Sequence, residues 1–557
     1  MECSDQGDPA RAGKKQRSSS IQARQSLIHG SGRVKPEAYM LESAPAMRRS
    51  ALAFVLALGV FSALLLADAR VGLNLNDEGF LWYGTWRTST GEVPLRDFQS
   101  YDPGRYYWGA AWYAMTGSQG VVALRAAAYG FASIAIFCIL KLLAGILSSR
   151  SAVLFSVCLG LWLFAPYKAY EFAFSLLAVV VGARLASYAS PANYALVGFY
   201  VGLAAWFGRN HALYAAVAFA LVAVAGDDAR HHATLLRRLA GVLVGVLVGA
   251  LPMLLHSLLT PGFAERAVQL STTYLSAGVA NLPREVPWPW RLRPAFFVRM
   301  APLKAASDLL LRLHFALMPP FAVGLVWWTA TRRNLPNRAL LLSAGCVGLC
   351  YLHYAFSRPD LGHVASSVPP LLVALAVLAS AASRPESRAT PTAWMAAMTL
   401  VAALTAGPSH PSFRRATEPQ NAWVGRTISG DRLWVESWVD VFLQRVALHS
   451  AASDGQTPLL ASPIFPGLYA ALGLRSPLWK ILFALPGSEE EQRRAVAELE
   501  QRGVALAVAC DQPRDWPFSE NYPILWRHLQ DDWSLLEPLP GGCELRQRRN
   551  SGHTAPS

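Results

Sequence analysis

Charge is scarce in this sequence. Asp, Glu, Lys and Arg make up 15% of 557 residues, against about 25% in ordinary globular chains, and the deficit is concentrated in long uncharged runs. An ordinary soluble enzyme is excluded on that ground, and 11% aromatic content excludes a disordered chain. Lysine is scarcer still, 7 of 50 basic residues. The seven cysteines are scattered and show neither metal-ligand spacing nor a disulfide framework. What is abundant is apolar: 53% hydrophobic residues and a mean hydropathy of +0.27. The length alone allows three or four soluble domains of ~150 residues, but the apolar runs claim most of it for a bilayer. The formal net charge of +14 does not point to nucleic acid. Its excess sits in a basic N-terminal tail and in short loops between apolar segments, where the positive-inside rule places it. The sequence describes a polytopic membrane protein.

Residues 1–47 are rich in Ser, Arg and Gln without apolar period and read as a disordered cytoplasmic tail. Arg48 and Arg49 then open a retained signal anchor, since no convincing small-residue cleavage site follows. A transmembrane helix needs ~20 mostly apolar residues. Candidate spans cover about 49–68, 120–144, 152–165, 172–188, 192–207, 211–225, 237–259, 314–331, 338–356, 364–382 and 391–407. The inner loops hold Arg150, Arg184, Arg230, Arg237, Arg238, Arg332, Arg333, Arg338, Arg384 and Arg388, while the outer turns carry only Lys168, Arg209 and Arg358. That asymmetry places the N-terminus inside, and the odd count of about 11 places the C-terminus outside. A transmembrane domain thus runs over 48–407, with large outer loops at 69–119 and 260–313. Residues 408–557 form a small extracytoplasmic α/β domain. In it, strand-like 459–461 and 504–509 alternate with a charged helix from Ser488 to Gln501. Its Cys510 and Cys543 can pair in an oxidising compartment if their Cα atoms come within about 7 Å. Gly241, Gly245 and Gly249, four apart, predict close helix packing. The inner loop with Asp227, Asp228, His231 and His232 reads as a solvated loop with poor ligand spacing.

The first outer loop carries the chemistry. It runs Asn76-Asp77-Glu78-Gly79 and then Phe80 to Trp86. Asp and Glu at a helix start are also ordinary capping residues. Trp82 and Trp86, one turn apart, suggest a helix lying at the interface. Arg96-Asp97-Phe98 and Tyr101-Asp102-Pro103-Gly104-Arg105-Tyr106-Tyr107-Trp108 add acids and an aromatic ridge; Asp102 before Pro103 also fits a plain turn start. Two further outer turns hold Lys168 with Tyr170 and Arg209-Asn210-His211. A third is Tyr354-Xaa-Xaa-Ser357-Arg358-Pro359-Asp360-Xaa-Xaa-His363, which concentrates a guanidinium, a carboxylate and an imidazole. A lone Lys at a helix end usually snorkels, and Arg358–Asp360 alone is a loop-fastening ion pair.

An Asp-Glu pair just past the first span, an Arg-Asp-Phe turn and a Pro-Gly-Xaa-Tyr-Tyr segment resemble the GT-C glycosyltransferases. The resemblance is to their bacterial branch related to protein O-mannosyltransferases and to the aminoarabinose transferase of lipid A. Specific motif similarity is confined to residues 76–108 and 354–363, and Arg-Xaa-Asp-Xaa-Xaa-His resembles an outer-loop motif of those relatives. Pro463-Xaa-Xaa-Pro466-Gly467-Xaa-Tyr469 and Ser476-Pro477-Leu478-Trp479 resemble outer domains of bacterial members. The resemblance implies transfer of a sugar from a polyprenyl-phosphate donor to a glycan, lipid or protein acceptor on the outer face of a bacterial inner membrane. An acidic residue of the first loop then serves as base. Asp77 is the expected base, with Glu78 assisting and Asp97 the second candidate acid. Arg358, Asp360, His363, Arg209, His211, Lys168 and Tyr106 are the expected substrate-binding residues, because the leaving phosphate needs cations. Asp77, Glu78, Asp97 and His363 are possible metal ligands, but no spacing requires a metal and none is expected. Beyond the lipid-linked sugar and its acceptor, membrane lipids are the expected partners, with no nucleic acid. The competing expectation is a transporter or flippase of lipid-linked glycans, which usually buries ionisable residues in its spans. A third is an inactive relative that only binds.

Overall fold

The computed structural model describes residues 44–226, 235–276, 284–292, 300–382, 389–451, 459–511 and 517–549. The tail up to residue 43 and the cluster of Asp227, Asp228, His231 and His232 lie outside the described residues. The chain divides into two compact units, Met1–Arg49 and Ser50–Ser557, and the second holds every candidate residue.

Helices dominate up to residue 417. They are α1 (Ala44–Ala67), α2 (Asp77–Ser89), α3 (Gly104–Thr116), α4 (Val121–Leu143), α5 (Ser149–Leu161), α6 (Ala169–Ser187), α7 (Pro191–Phe207) and α8 (Arg209–Gly226). There follow α9 (Leu235–Gly249), α10 (Leu251–Leu259), α11 (Phe263–Ser276), α12 (Pro302–Thr331), α13 (Arg338–Ser357), α14 (Leu361–Ser367), α15 (Pro369–Ala381), α16 (Ala389–Thr405) and α17 (Pro411–Thr417). Each expected span falls on a helix, yet the expected eleven is not reached. Among the described residues six helices are long and apolar enough to cross a bilayer, or up to eight if α9–α10 and α14–α15, bent by 57° and 51°, are each one span. The reason is length. With 13 residues in α5 and a rise of about 1.5 Å per residue, that helix falls short of a ~30 Å hydrocarbon core. At 17 residues each, α7 and α16 lie at the short end of what a span requires. The odd count therefore no longer fixes the side of the C-terminus. Packing relates it to the first loop instead. The backbone N–H of Gly72 donates to Trp434 (2.7 Å), that of Trp434 to Arg70 (2.8 Å), and that of Gly467 to Leu75 (2.9 Å). The C-terminal region thus sits on the side where α1 ends.

The glycine stripe does what its spacing predicts. A Cβ on Gly245 or Gly249 would lie 2.0 or 2.1 Å from the carbonyl oxygens of Ala195 or Phe199 on α7. One on Gly198 or Gly202 would strike α9 in return. Only glycine allows two backbones this close.

Beyond α17, among the described residues, lie two sheets. A hairpin pairs β1 (Trp423–Ile428) with β2 (Asp431–Glu436) through Ser429-Gly430, both at positive φ, as a two-residue turn of that twist requires. After α18 (Ser437–Ala451), a four-stranded sheet orders β3 (Leu459–Ser462), β4 (Leu506–Cys510), β6 (Cys543–Arg548) and β5 (Trp533–Leu539). Between its strands lie α19 (Gly467–Leu472) and α20 (Glu489–Gln501), the latter capped by Ser488, whose hydroxyl accepts from the N–H of Glu491. Cys510 and Cys543 face each other across β4 and β6, with Cα atoms 4.1 Å apart, and form a disulfide.

Candidate functional site

Just past α1 the chain makes an Asx turn, in which the N–H of Asn76 donates to Asn74 Oδ1 (2.8 Å), and enters α2 with two acids in its first turn. The helix dipole favours both. Their surroundings differ. Glu78 is buried and takes a two-pronged ion pair from Arg125 of α4, Nε to Oε1 at 2.6 Å and Nη2 to Oε2 at 2.7 Å. The same guanidinium donates to the carbonyls of Ala69 (3.0 Å), Val71 (3.1 Å) and Gly72 (2.8 Å). Arg125 thereby clamps the loop between α1 and α2, and Glu78 is the anion that permits a buried cation there.

Asp77 is half-buried, and among the described residues no hydrogen bond or ion pair engages its carboxylate. It lies within electrostatic range of Lys168 and Tyr167, and Tyr167 feels Asp360 as well. Lys168, at the start of α6, donates from Nζ to the Tyr354 hydroxyl (2.9 Å) and faces His363 Nε2 at 3.4 Å. On its other side His363 meets Asp360, Nδ1 to Oδ1 at 2.8 Å. These contacts select the neutral imidazole that donates from Nδ1 and accepts at Nε2. Asp360 caps α14 by accepting the N–H of His363 (3.0 Å), and Arg358 Nε lies 3.4 Å from its other oxygen. Burial pushes the Asp360 carboxyl up, but the hydrogen bonds it accepts from the ring and backbone N–H of His363, with the charge of Lys168, prevail and hold it at about 2. Asp77, Lys168, Tyr354, Arg358, Asp360 and His363 thus form one neighbourhood from three separate stretches of chain.

The remaining candidates go elsewhere. Asp97 closes its own turn, accepting from Arg96 twice at 2.8 Å and from the N–H of Val93 (2.7 Å). The Arg96 hydrogen bond holds its pKa down. Tyr106 is buried, and its hydroxyl accepts the N–H of Tyr101 (2.9 Å). Arg209 binds buried Asp102, Nε to Oδ1 at 2.7 Å, and donates its backbone N–H to Oδ2 at 2.9 Å. Burial raises the Asp102 pKa against that pairing. His211 is fully buried between Phe174 and Tyr351, and its Nε2 lies 4.0 Å from Glu171 Oε1. The same Glu171 oxygen pairs with Arg105 at 3.2 Å. Trp82, expected at an interface, is 1% exposed and donates to the carbonyl of Gln119. Sequence reasoning assigned no role to Glu171 or Arg125. Their signal was available: Arg125 is a lone charge in an apolar run and Glu171 stands at the edge of one, and a charge withdrawn from water must find a partner.

The C-terminal region holds the first loop in place. A Cβ on Gly79 would lie 2.5 Å from the Gly467 nitrogen, so α2 and α19 touch backbone to backbone. The N–H of Ser476 donates to the Tyr83 hydroxyl (3.0 Å), and Trp479 Nε1 to the Leu95 carbonyl (3.1 Å). Gln99 Oε1 accepts from the N–H groups of Ile481 and Leu482. Among the described residues no three His, Cys, Asp or Glu side chains gather as a metal requires.

No family model and no curated protein matches the chain. Two solved structures of the oligosaccharyltransferase of Archaeoglobus fulgidus align with it. One, tethered to an acceptor peptide with the NVT sequon, is aligned over 90% of this chain and 74% of its own, at 12% identity and a TM-score of 0.41. The other, a complex with Zn and sulfate, covers 89% and 73%, at 13% identity and a TM-score of 0.38. Similarity at that level assigns no residue and no substrate to this chain.

Proposed function

We propose that the chain is a GT-C-class membrane glycosyltransferase. It takes a sugar from a polyprenyl-phosphate donor and gives it to an acceptor at the outer face of a bacterial inner membrane. One observation carries this reading: among the described residues no hydrogen bond or ion pair engages the Asp77 carboxylate, and it lies within electrostatic range of a fixed ammonium, Lys168, at the start of α2 just past the first span. Asp77 accepts the proton of the acceptor hydroxyl as its oxygen attacks the anomeric carbon. The carbon–oxygen bond to phosphate breaks with its electron pair going to the phosphate, whose charge Lys168 and Arg358 balance. Asp360 orients His363, and His363 with Tyr354 holds the ammonium. No metal enters this scheme, in which Asp77 takes the proton and Lys168 with Arg358 balances the phosphate. The Cys510–Cys543 disulfide supports an oxidising location for the C-terminal region.

The buried Arg105–Glu171–His211 chain favours a second reading, transport of a lipid-linked glycan. The two part in one experiment. Membranes from a strain lacking the protein are supplied with wild type or Asp77→Asn, and lipids and glycans are followed by mass spectrometry. Transfer predicts a product lacking one sugar with the variant, unaffected by chelator. Accumulation of a complete lipid-linked glycan on one side instead selects transport, and residual transfer above roughly a tenth excludes Asp77 as base.

A further inference from the structure

Away from that neighbourhood, an apolar groove of about 780 Å³ runs along α1. Val55, Gly59, Val60, Ala63, Val157 and Leu404 are among its walls. Phe54, Val55, Leu58 and Leu66 of α1 are exposed, 48–84%, so this flank of the helix faces the bilayer and the groove opens to lipid. At its end His410 is held between Asp68 Oδ2 (2.6 Å) and the Leu161 carbonyl (2.9 Å). A second cavity, about 650 Å³, begins there and shares Ala67 and Ser412 with the first. Its character is the opposite: Arg415, Glu418, Gln420, Trp423 and Trp434 line it. Glu418 accepts from Arg414 Nε (3.0 Å) and Trp423 Nε1 (3.1 Å), and the same Arg414 also pairs with Glu436 Oε1 (3.1 Å), so one cation serves two carboxylates beside three further guanidiniums. The Arg415 guanidinium lies 3.7 Å over the Trp434 ring. Arg432 lies two residues before the lining Trp434 on β2, and Arg70, which precedes the lining Val71, donates to the Arg432 carbonyl (3.4 Å). Among the described residues no carboxylate pairs with Arg70, Arg415 or Arg432.

A hydrocarbon slot continuous with a tryptophan-rimmed cluster of uncompensated guanidiniums has the chemistry of an anionic amphiphile. Arginine forks suit phosphate, and Trp belongs at the head-group level. We propose that this double cavity binds one anionic phospholipid of the surrounding bilayer, with its acyl chains along α1 and its phosphate at Arg415. None of Asp77, Lys168, Tyr354, Asp360 and His363 lines either cavity, so the site stands independently of the transfer reaction.

The test uses the full chain, purified in detergent, given phosphatidylglycerol or phosphatidylcholine and examined by native mass spectrometry. The wild type is expected to retain one phosphatidylglycerol and to discriminate at least tenfold against phosphatidylcholine. Combined Arg415→Ala and Arg432→Ala substitution should abolish that discrimination. Gly59→Trp serves as a second variant, because a Cβ at Gly59 meets nothing within 4 Å; it fills the slot and should lower retention of phosphatidylglycerol. Equal retention of both lipids by the wild type overturns the proposal. So does retention unchanged in both variants, and so does displacement of phosphatidylglycerol by an equal concentration of a polyprenyl phosphate, which makes the groove a donor path.

Discussion

Asp77 and Glu78 are neighbours in the first turn of one helix, set apart by roughly 100° around its axis, and they occupy opposite electrostatic worlds. On the Glu78 side every charge is matched: a guanidinium spans both oxygens and three or more carbonyls in a dry interior. On the Asp77 side the carboxylate is half-exposed and unmatched among the described residues, within range of a lysine already committed to a tyrosine and a histidine. The first arrangement fixes a loop, and the second leaves a carboxylate free to serve as the proposed base. The lesson is that adjacency in sequence says little about role. A saturated ion pair is architecture, and an unsaturated acid in a shaped polar setting is available for chemistry.

Substitution separates the two sides. Arg125→Met should cost about 3–5 kcal/mol by stranding Glu78, seen as loss of folded protein and of thermal stability in detergent. Asp77→Asn should leave melting within about 0.5 kcal/mol of wild type while lowering transfer 10²–10⁴-fold, roughly the reach of a general base. If both variants destabilise alike, the contrast collapses and Asp77 is a helix start. The next largest effect belongs to Gly467→Ala. Its Cβ would lie 2.9 Å from Leu75 Cα and 3.0 Å from Gly79 Cα, both backbone, so α2 must shift. About 1–3 kcal/mol of stability should go with it, and transfer should fall with the melting temperature, whereas Glu490→Gln on the exposed face of α20 changes neither.

Lys168→Met sharpens the Asp77 side. Loss of a charged hydrogen bond is worth about 1.5–3 kcal/mol, so steady-state kinetics should show transfer efficiency down roughly 10–100-fold, with Lys168→Arg restoring part. An unchanged rate removes Lys168 from the phosphate. The smallest effect is one of pH. With the Asp360 carboxyl held at about 2, below the ordinary range, its stabilising contribution is complete above about pH 4 and is lost only as pH falls through about 2. Wild type and Asp360→Asn should therefore differ by a constant ratio in activity from pH 5 to 8. Their melting temperatures should converge only on acidification towards pH 2–3; a pH-dependent ratio near neutrality assigns the titration to another group.

Much of this was legible beforehand because it is local. Helix positions follow from apolar run length, the glycine stripe from its four-residue spacing, and the α20 cap from Ser488 before three glutamates. The grouping of Lys168 with the Arg358–His363 turn was visible as candidate types but not as a contact, since 195 residues separate Lys168 from His363. Arg209 and His211, read together as phosphate ligands, instead serve Asp102 and the Glu171 environment. Their composition could not reveal this, because a buried ion pair and a ligand site use the same side chains.

By itself, the sequence determined the membrane class, the helical register of most spans, the small mixed domain at the end and the stretch in which the acids lie. Each depends on hydropathy or on a spacing of a few residues, which chain connectivity enforces. Only the tertiary structure decided that Glu78 belongs to Arg125, that Asp77 keeps an open carboxylate near Lys168, and that Gly467 seats the C-terminal region on α2. Those outcomes rest on which helix ends converge, and burial makes the choice. A charge withdrawn from water must be matched by whatever the packing brings near it, and only one at the rim can go unmatched.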